Sequence, residues 1–207
     1  MAYDFNGTNQ FLEVATAVAN RPCTLAAWAN LDNVTGARDI VSVSSKTALA
    51  VLRLNVNSTQ FRIADQGNVN AVANGGTVSA NVWNHYAGVF ASGSSRTPYT
   101  NGVAGSENTT SVASIIPTFT NIGAFYAGTS TPIQFFDGRM AEIGIWNAAL
   151  TAAEIASLGK GMTPDKIRPQ SLVFYAPLVR DLVDQKGGLT ITNNNSATVA
   201  NHPRVYA

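Results

Sequence analysis

Apolar and polar positions alternate along most of the chain in short β-branched and aromatic runs, separated by clusters of Gly, Asn, Ser and Thr. That is the pattern of antiparallel strands joined by turns. It predicts strands at FLEV (11–14), TLAAWANL (24–31), DIVSVS (39–44), ALAVLRLNV (48–56) and QFRIAD (60–65). Others follow at HYAGVF (85–90), PYTNG (98–102), NIGAFYAG (121–128), RMAEIGIW (139–146) and LVFYAPL (172–178). In ALAVLRLNV, Ala50, Leu52, Leu54 and Val56 share one face and Val51, Arg53 and Asn55 the other, so one side of this strand is expected to be buried. Such strands bury their apolar faces by packing as a sandwich.

One segment follows a helical period instead. LTAAEIASLGKG sets Thr151 and Glu154 at capping-box spacing, Leu150 and Ile155 as a hydrophobic staple, and Gly159 as the terminator, which predicts a helix over 151–158. Residues 160–170 then read as a connector, because Pro164 and Pro169 interrupt regular structure. A final strand and a polar tail occupy 171–207, and the 207 residues form a single domain by expectation.

Composition removes several classes of partner. Charged residues make up 12% of the chain and the net charge is +1, too little field to recruit nucleic acid or an anionic membrane. The N-terminus lacks the basic start and apolar run of a signal peptide, and no stretch is apolar enough to span a bilayer. The lone cysteine, Cys23, rules out an intrachain disulfide and zinc sites built from several thiolates; opening an apolar run, it reads as a small buried hydrophobe.

Five stretches, YDFNGTNQFLEV, TLAAWANL, WNHYAGVF, YTNGVAGS and FFDGRMAEIGIWNAALTAAEIASL, resemble in that order the successive motifs of laminin G-like and concanavalin A-like jelly-roll modules. The resemblance covers most of residues 1–159. It implies an all-β fold, a two-sheet antiparallel jelly-roll sandwich with one short helix. SLVFYAPLVRDLVDQKGGLTITNNNSATV is similar to the unit that normally precedes the opening motif, yet here it comes last. Residues 171–207 therefore read as a circular permutation that completes the chain's own sandwich, or as a segment that pairs with a neighbouring subunit. Together with RPQSLVFYAPL and a terminal HPRVY, the module also resembles proteins encoded by tailed bacteriophages.

The resembled class includes glycoside hydrolases, which makes Asp137 and Glu142 the acids to weigh. Retaining hydrolysis needs two carboxyl groups on one face ~5–5.5 Å apart. None of the twelve acidic residues has another two positions away, and Asp137 and Glu142 are an odd five apart, so on one continuous strand they point to opposite faces. Asp137 opens an Asp-Gly pair typical of a turn. Neither His85 nor His202 lies in a nucleophile motif, His85 matching a sheet-packing position of the resembled family, and no enzyme is expected. Trp28, Trp83 and Trp146 coincide with core positions of that family.

No cofactor is expected, calcium being the one candidate. Asp32, Asp39 and Asp65, in the turn-rich stretches LDNVTGARD and DQGNVN, are its candidate ligands, although Asp and Asn are equally the residues of turns. Tyr99, Tyr126 and Phe136, with Phe125 and Phe135, are candidate rings for stacking on a sugar, at most one of each adjacent pair being exposed. The expected function is a non-enzymatic virion surface protein of a phage, made in the host cytoplasm. It would be a capsid decoration or cement protein that binds other virion proteins and its own copies as a homo-oligomer. The alternative is a glycan-binding lectin or adhesin, with or without calcium.

Overall fold

The computed structural model describes residues 1–49 and 51–205; Ala50 of the alternating ALAVLRLNV and Tyr206 of the HPRVY tail lie outside them. Two antiparallel sheets stack face to face. With strands numbered along the chain, the first sheet runs β10 (Val103–Ala104), β9 (Ser95–Thr100), β8 (Asn84–Ser92), β3 (Cys23–Leu31), β14 (Asp137–Trp146), β1 (Ala2–Asn6) and β17 (Thr198–Ala200). β15 (Leu172–Ala176) also pairs with β14. The second runs β16 (Thr192–Asn194), β2 (Phe11–Ala15), β11 (Phe119–Ile122), β4 (Ala37–Ser44), β5 (Val51–Asn57), β6 (Gln60–Gln66) and β7 (Asn70–Thr77). A short ribbon, β12 (Phe125–Tyr126) with β13 (Pro132–Ile133), stands apart from both. The expected jelly-roll sandwich is the observed architecture.

Period-two alternation builds the core. Leu25, Leu31, Met140, Ile143 and Ile145 of the first sheet meet Leu12, Val41, Val43, Leu52, Leu54 and Ile63 of the second in one buried cluster. β5 departs from the expectation, because its outward residues Val51, Arg53 and Asn55 are buried as well. Residues 124–135 fold back as a flap over that face. Ser42 Oγ donates to the Ala124 carbonyl at 3.0 Å, Arg53 Nη1 to Gln134 Oε1 at 2.9 Å, and the Arg53 guanidinium lies 4.2 Å from the Phe125 ring centre.

The helix, α1 (Ala152–Gly159), covers part of the outer face of the first sheet, with Leu150, Ile155 and Leu158 packed among Ala26, Ala87, Val89, Tyr99 and Trp146. Its capping box is formed: Thr151 N donates to Glu154 Oε2 at 2.7 Å and Glu154 N to Thr151 Oγ1 at 3.4 Å. The terminator is displaced. Gly159 stays helical, where a Cβ would strike the backbone of Asn101 and Gly102, and the chain reverses at Gly161 with φ +100°. The connector carries a 3₁₀ turn at Pro164–Lys166 and is pinned by Trp146 Nε1 donating to the Ile167 carbonyl at 2.8 Å. Trp146 is thus a packing residue.

β14 pairs with β1 along its first half and with β15 along its second. Between them its ladder to β3 shifts, and Glu142 takes the left-handed φ of +54°. Asp137 begins this strand opposite Asn6, so the Asp-Gly pair is no hairpin turn. The C-terminal segment enters both sheets of its own chain: β15 beside β14, β16 beside β2, and β17 beside β1 with Ala200 opposite Ala2. No helix among the described residues is long and apolar enough to cross a membrane.

Candidate functional site

In β3 alternation sends Leu25, Ala27, Ala29 and Leu31 into the core and Ala26, Trp28 and Asn30 outward. Ala26 lies under α1, but Trp28 does not belong to the apolar cluster around the helix. Two cross-strand rows make up this part of the face, Ala141–Trp28–His85 and Asp4–Arg139–Asn30. Trp28 is half-buried, with the His85 ring edge-on at 5.7 Å between centroids and Ala141 as its cross-strand neighbour on β14. An indole here is available to the apolar face of a ligand.

The second row supplies polar groups. Arg139 Nη2 donates to Asn30 Oδ1 at 3.3 Å and pairs with the Asp32 carboxylate. Arg139 Nε and Asp4 Oδ1 are buried atoms with no hydrogen-bond partner among the described residues. Burial above all, then the nearby Asp32 and Asp137 charges, pushes the Asp4 carboxyl above its usual range, with Arg139 opposing. Burial alone pushes His85 down to about 3, which keeps its imidazole neutral beside Trp28. A ring bordered by a carboxyl, an amide and a guanidinium can stack on a sugar ring and bond its hydroxyls in the same encounter.

The structure corrects the calcium candidates, for each is taken by arginine and they are not brought together. Asp32 pairs with Arg139 at the platform's edge. Asp39 is wholly buried beneath the flap 3.0 Å from Arg53, and burial pushes it up to about 7 against the pull of Arg53. Asp65 points into the sandwich, where Arg21 and Arg96 hold it. Among the described residues no group of three or more His, Cys, Asp or Glu is arranged to hold a metal ion.

The stacking candidates are corrected too. Tyr99 is packed against α1, Phe136 lies in the core edge-on to Phe5 at 6.3 Å, and Tyr126 packs on Phe11 and Phe119 while its hydroxyl donates to Glu13. Phe125 and Tyr126 are both buried because the flap folds them down. Phe135 packs against Phe11, 6.1 Å away. Asp137 accepts from the Asn33 amide, whereas Glu142 accepts from the Tyr175 hydroxyl at 2.6 Å and pairs with His202 Nε2 at 2.9 Å. Burial raises the Cys23 thiol to about 12, so it is an inert core residue.

Sequence reasoning placed Trp28 in the core and missed it as a surface ring. The signal was its parity: in TLAAWANL it is an odd number of positions from Leu25 and from Leu31, hence on the other face.

Residues 6–156 match the model of the family described as the concanavalin A-like lectin/glucanases superfamily. The chain belongs to that superfamily. No curated protein matches it. Among solved structures it is similar to a putative carbohydrate binding protein from Bacteroides ovatus, with TM-score 0.67, 18% identity and coverage of 97% of this chain and 61% of that one. The superfamily member thus spans about three-fifths of that protein's length. It is similar also to a heptameric SAP-like pentraxin from Limulus polyphemus, with TM-score 0.66, 16% identity and coverage of 96% and 97%. A third is the CBM40 of Ruminococcus gnavus IT-sialidase, with TM-score 0.60, 11% identity and coverage of 76% and 95%. Identities this low establish a shared fold.

Proposed function

We propose that this chain is a non-catalytic carbohydrate-binding module whose contact surface is Trp28 with Asn30, Arg139 and Asp4. The observation that carries the reading is the half-buried indole, on the part of the sheet α1 leaves open, in cross-strand rows beside the partly exposed side chains of Asp4 and Arg139. Sugar hydroxyls both donate and accept, which suits a carboxylate and a guanidinium side by side. The carbohydrate-binding protein and the CBM40 among the fold's relatives support the same reading. The engagement of Glu142 and Asp137 by different partners supports the non-catalytic reading. The capsid-decoration role expected from the sequence has no feature of the fold or of these relatives to favour it.

A glycan array with the native chain and a Trp28→Ala variant, each in calcium and in chelator, tests the proposal. Binding by the native chain in both buffers, weakened at least tenfold in the variant, is the expected result. No native binding, or binding indifferent to Trp28→Ala, overturns it.

A further inference from the structure

At the end of the sandwich where β3 begins and β8 finishes, Asn20, Arg21, Ser92, Gly93, Val112 and Ser114 line a cleft of ≈ 300 Å³. Beneath it two guanidinium groups share one carboxylate. Arg21 donates to Asp65 through Nε at 2.7 Å and through Nη2, and Arg96 Nε stands 3.3 Å from the same carboxylate. The side chains of Arg21, Arg96 and Asp65 are 5%, 0% and 0% exposed. Two buried cations on one buried anion leave one positive charge over. Glu107 is the other carboxylate that acts on Arg96, but it is exposed to water and engaged by the Ser95 hydroxyl.

The remaining bonds of the two arginines go to neutral groups. Arg96 donates to Asn108 Oδ1 at 2.8 Å and to the Gly93 carbonyl at 2.6 Å. Arg21 Nη1 has only long contacts of 3.3 Å, to Asn20 Oδ1 and to the Ala113 carbonyl. Long contacts are weak ones. Donor capacity and uncompensated charge therefore coincide at Arg21, on the wall of a cavity whose size lies at the lower end for small-molecule sites.

We propose that this cleft is a subsite for an anionic substituent of a glycan, a carboxylate or a sulfate ester, received by Arg21 with the Asn20 amide and the Ser92 and Ser114 hydroxyls around it. The proposal rests on the carbohydrate-binding reading. The subsite is distinct from the Trp28 platform, which lies five positions further along β3 than Cys23, roughly 17 Å at a strand's rise per residue.

Isothermal titration calorimetry with trigalacturonate, a 6-sulfated galactotriose and neutral galactotriose tests it on the native chain and on two variants. Arg21→Gln removes the surplus charge and leaves Asp65 with Arg96; Ser114→Trp fills the cleft without touching an ion, in case the first variant folds poorly. At least one acidic probe should bind tenfold or more tighter than the neutral one, the tighter acid identifying the group, and both variants should lose that preference. Equal binding of acidic and neutral probes, or a preference that survives in both variants, overturns the subsite and leaves the carbohydrate reading standing. Failure of all three probes overturns both.

Discussion

Asp65→Asn keeps the shape of a buried side chain and removes only its charge. Arg21 and Arg96, with side chains 5% and 0% exposed, would then face each other with no anion between them. Breaking a buried ion pair by removing one partner costs about 3–5 kcal/mol, and stranding two cations argues for the upper part of that range. For a domain of this size each ~1 kcal/mol moves Tm by about 2–4 °C, so the expected fall is roughly 6–20 °C. Circular dichroism melts and urea midpoints would measure it. The triple variant Arg21→Met/Asp65→Leu/Arg96→Met should recover most of it, since an apolar replacement of a whole buried network is often neutral. A Tm for Asp65→Asn within about 2 °C of the native chain would mean that water reaches these charges, and the reasoning would fail.

Three further outcomes are expected. Burial holds His85 at about 3, below the ~6.5 of an exposed imidazole, so its contribution to stability is whole above ~6.5 and is lost as pH falls towards 3; His85→Gln should flatten the decline of the urea midpoint between about pH 7 and 4, and an unchanged slope would count against this. Thr151→Ala removes the side-chain arm of the capping box, leaving the backbone N–H of residue 151 to donate to Glu154, and should cost about 0.5–2 kcal/mol by urea titration, where no change would show that this arm contributes nothing. Deleting residues 171–207 removes β15, β16 and β17 from the two sheets and should abolish cooperative melting; a folded monomer after that deletion would refute self-completion.

How much of this was readable depends on where each residue's neighbours come from. β3, β5, β6 and β14 announce themselves because their alternation reports burial against the opposite sheet. NIGAFYAG reads as one strand, yet Gly123, at φ +88°, breaks it into β11 and β12 and turns the chain back over its own sheet. That turn is why both Phe125 and Tyr126 are buried, and why an apparently two-faced β5 is covered on both sides. β7, NAVANGGT, carries almost no strand signal; it forms because β6 offers an open edge of backbone groups. β16 and β17 likewise depend on β2 and β1. At the candidate site only the parity of Trp28 was legible. Asp4, Arg139 and Asn30 come from three strands distant in the chain, and cross-strand register alone sets them in one row.

The way residues 172–200 are stitched into both sheets bears on the order of events during synthesis. β1 and β2 leave the ribosome well before the strands that flank them on one side, β17 and β16. Until then each of these early strands presents an open backbone edge, the kind of surface through which nascent chains associate wrongly. The late synthesis of β16 and β17 relative to their partners thus lengthens the time that the growing chain relies on a chaperone or on speed.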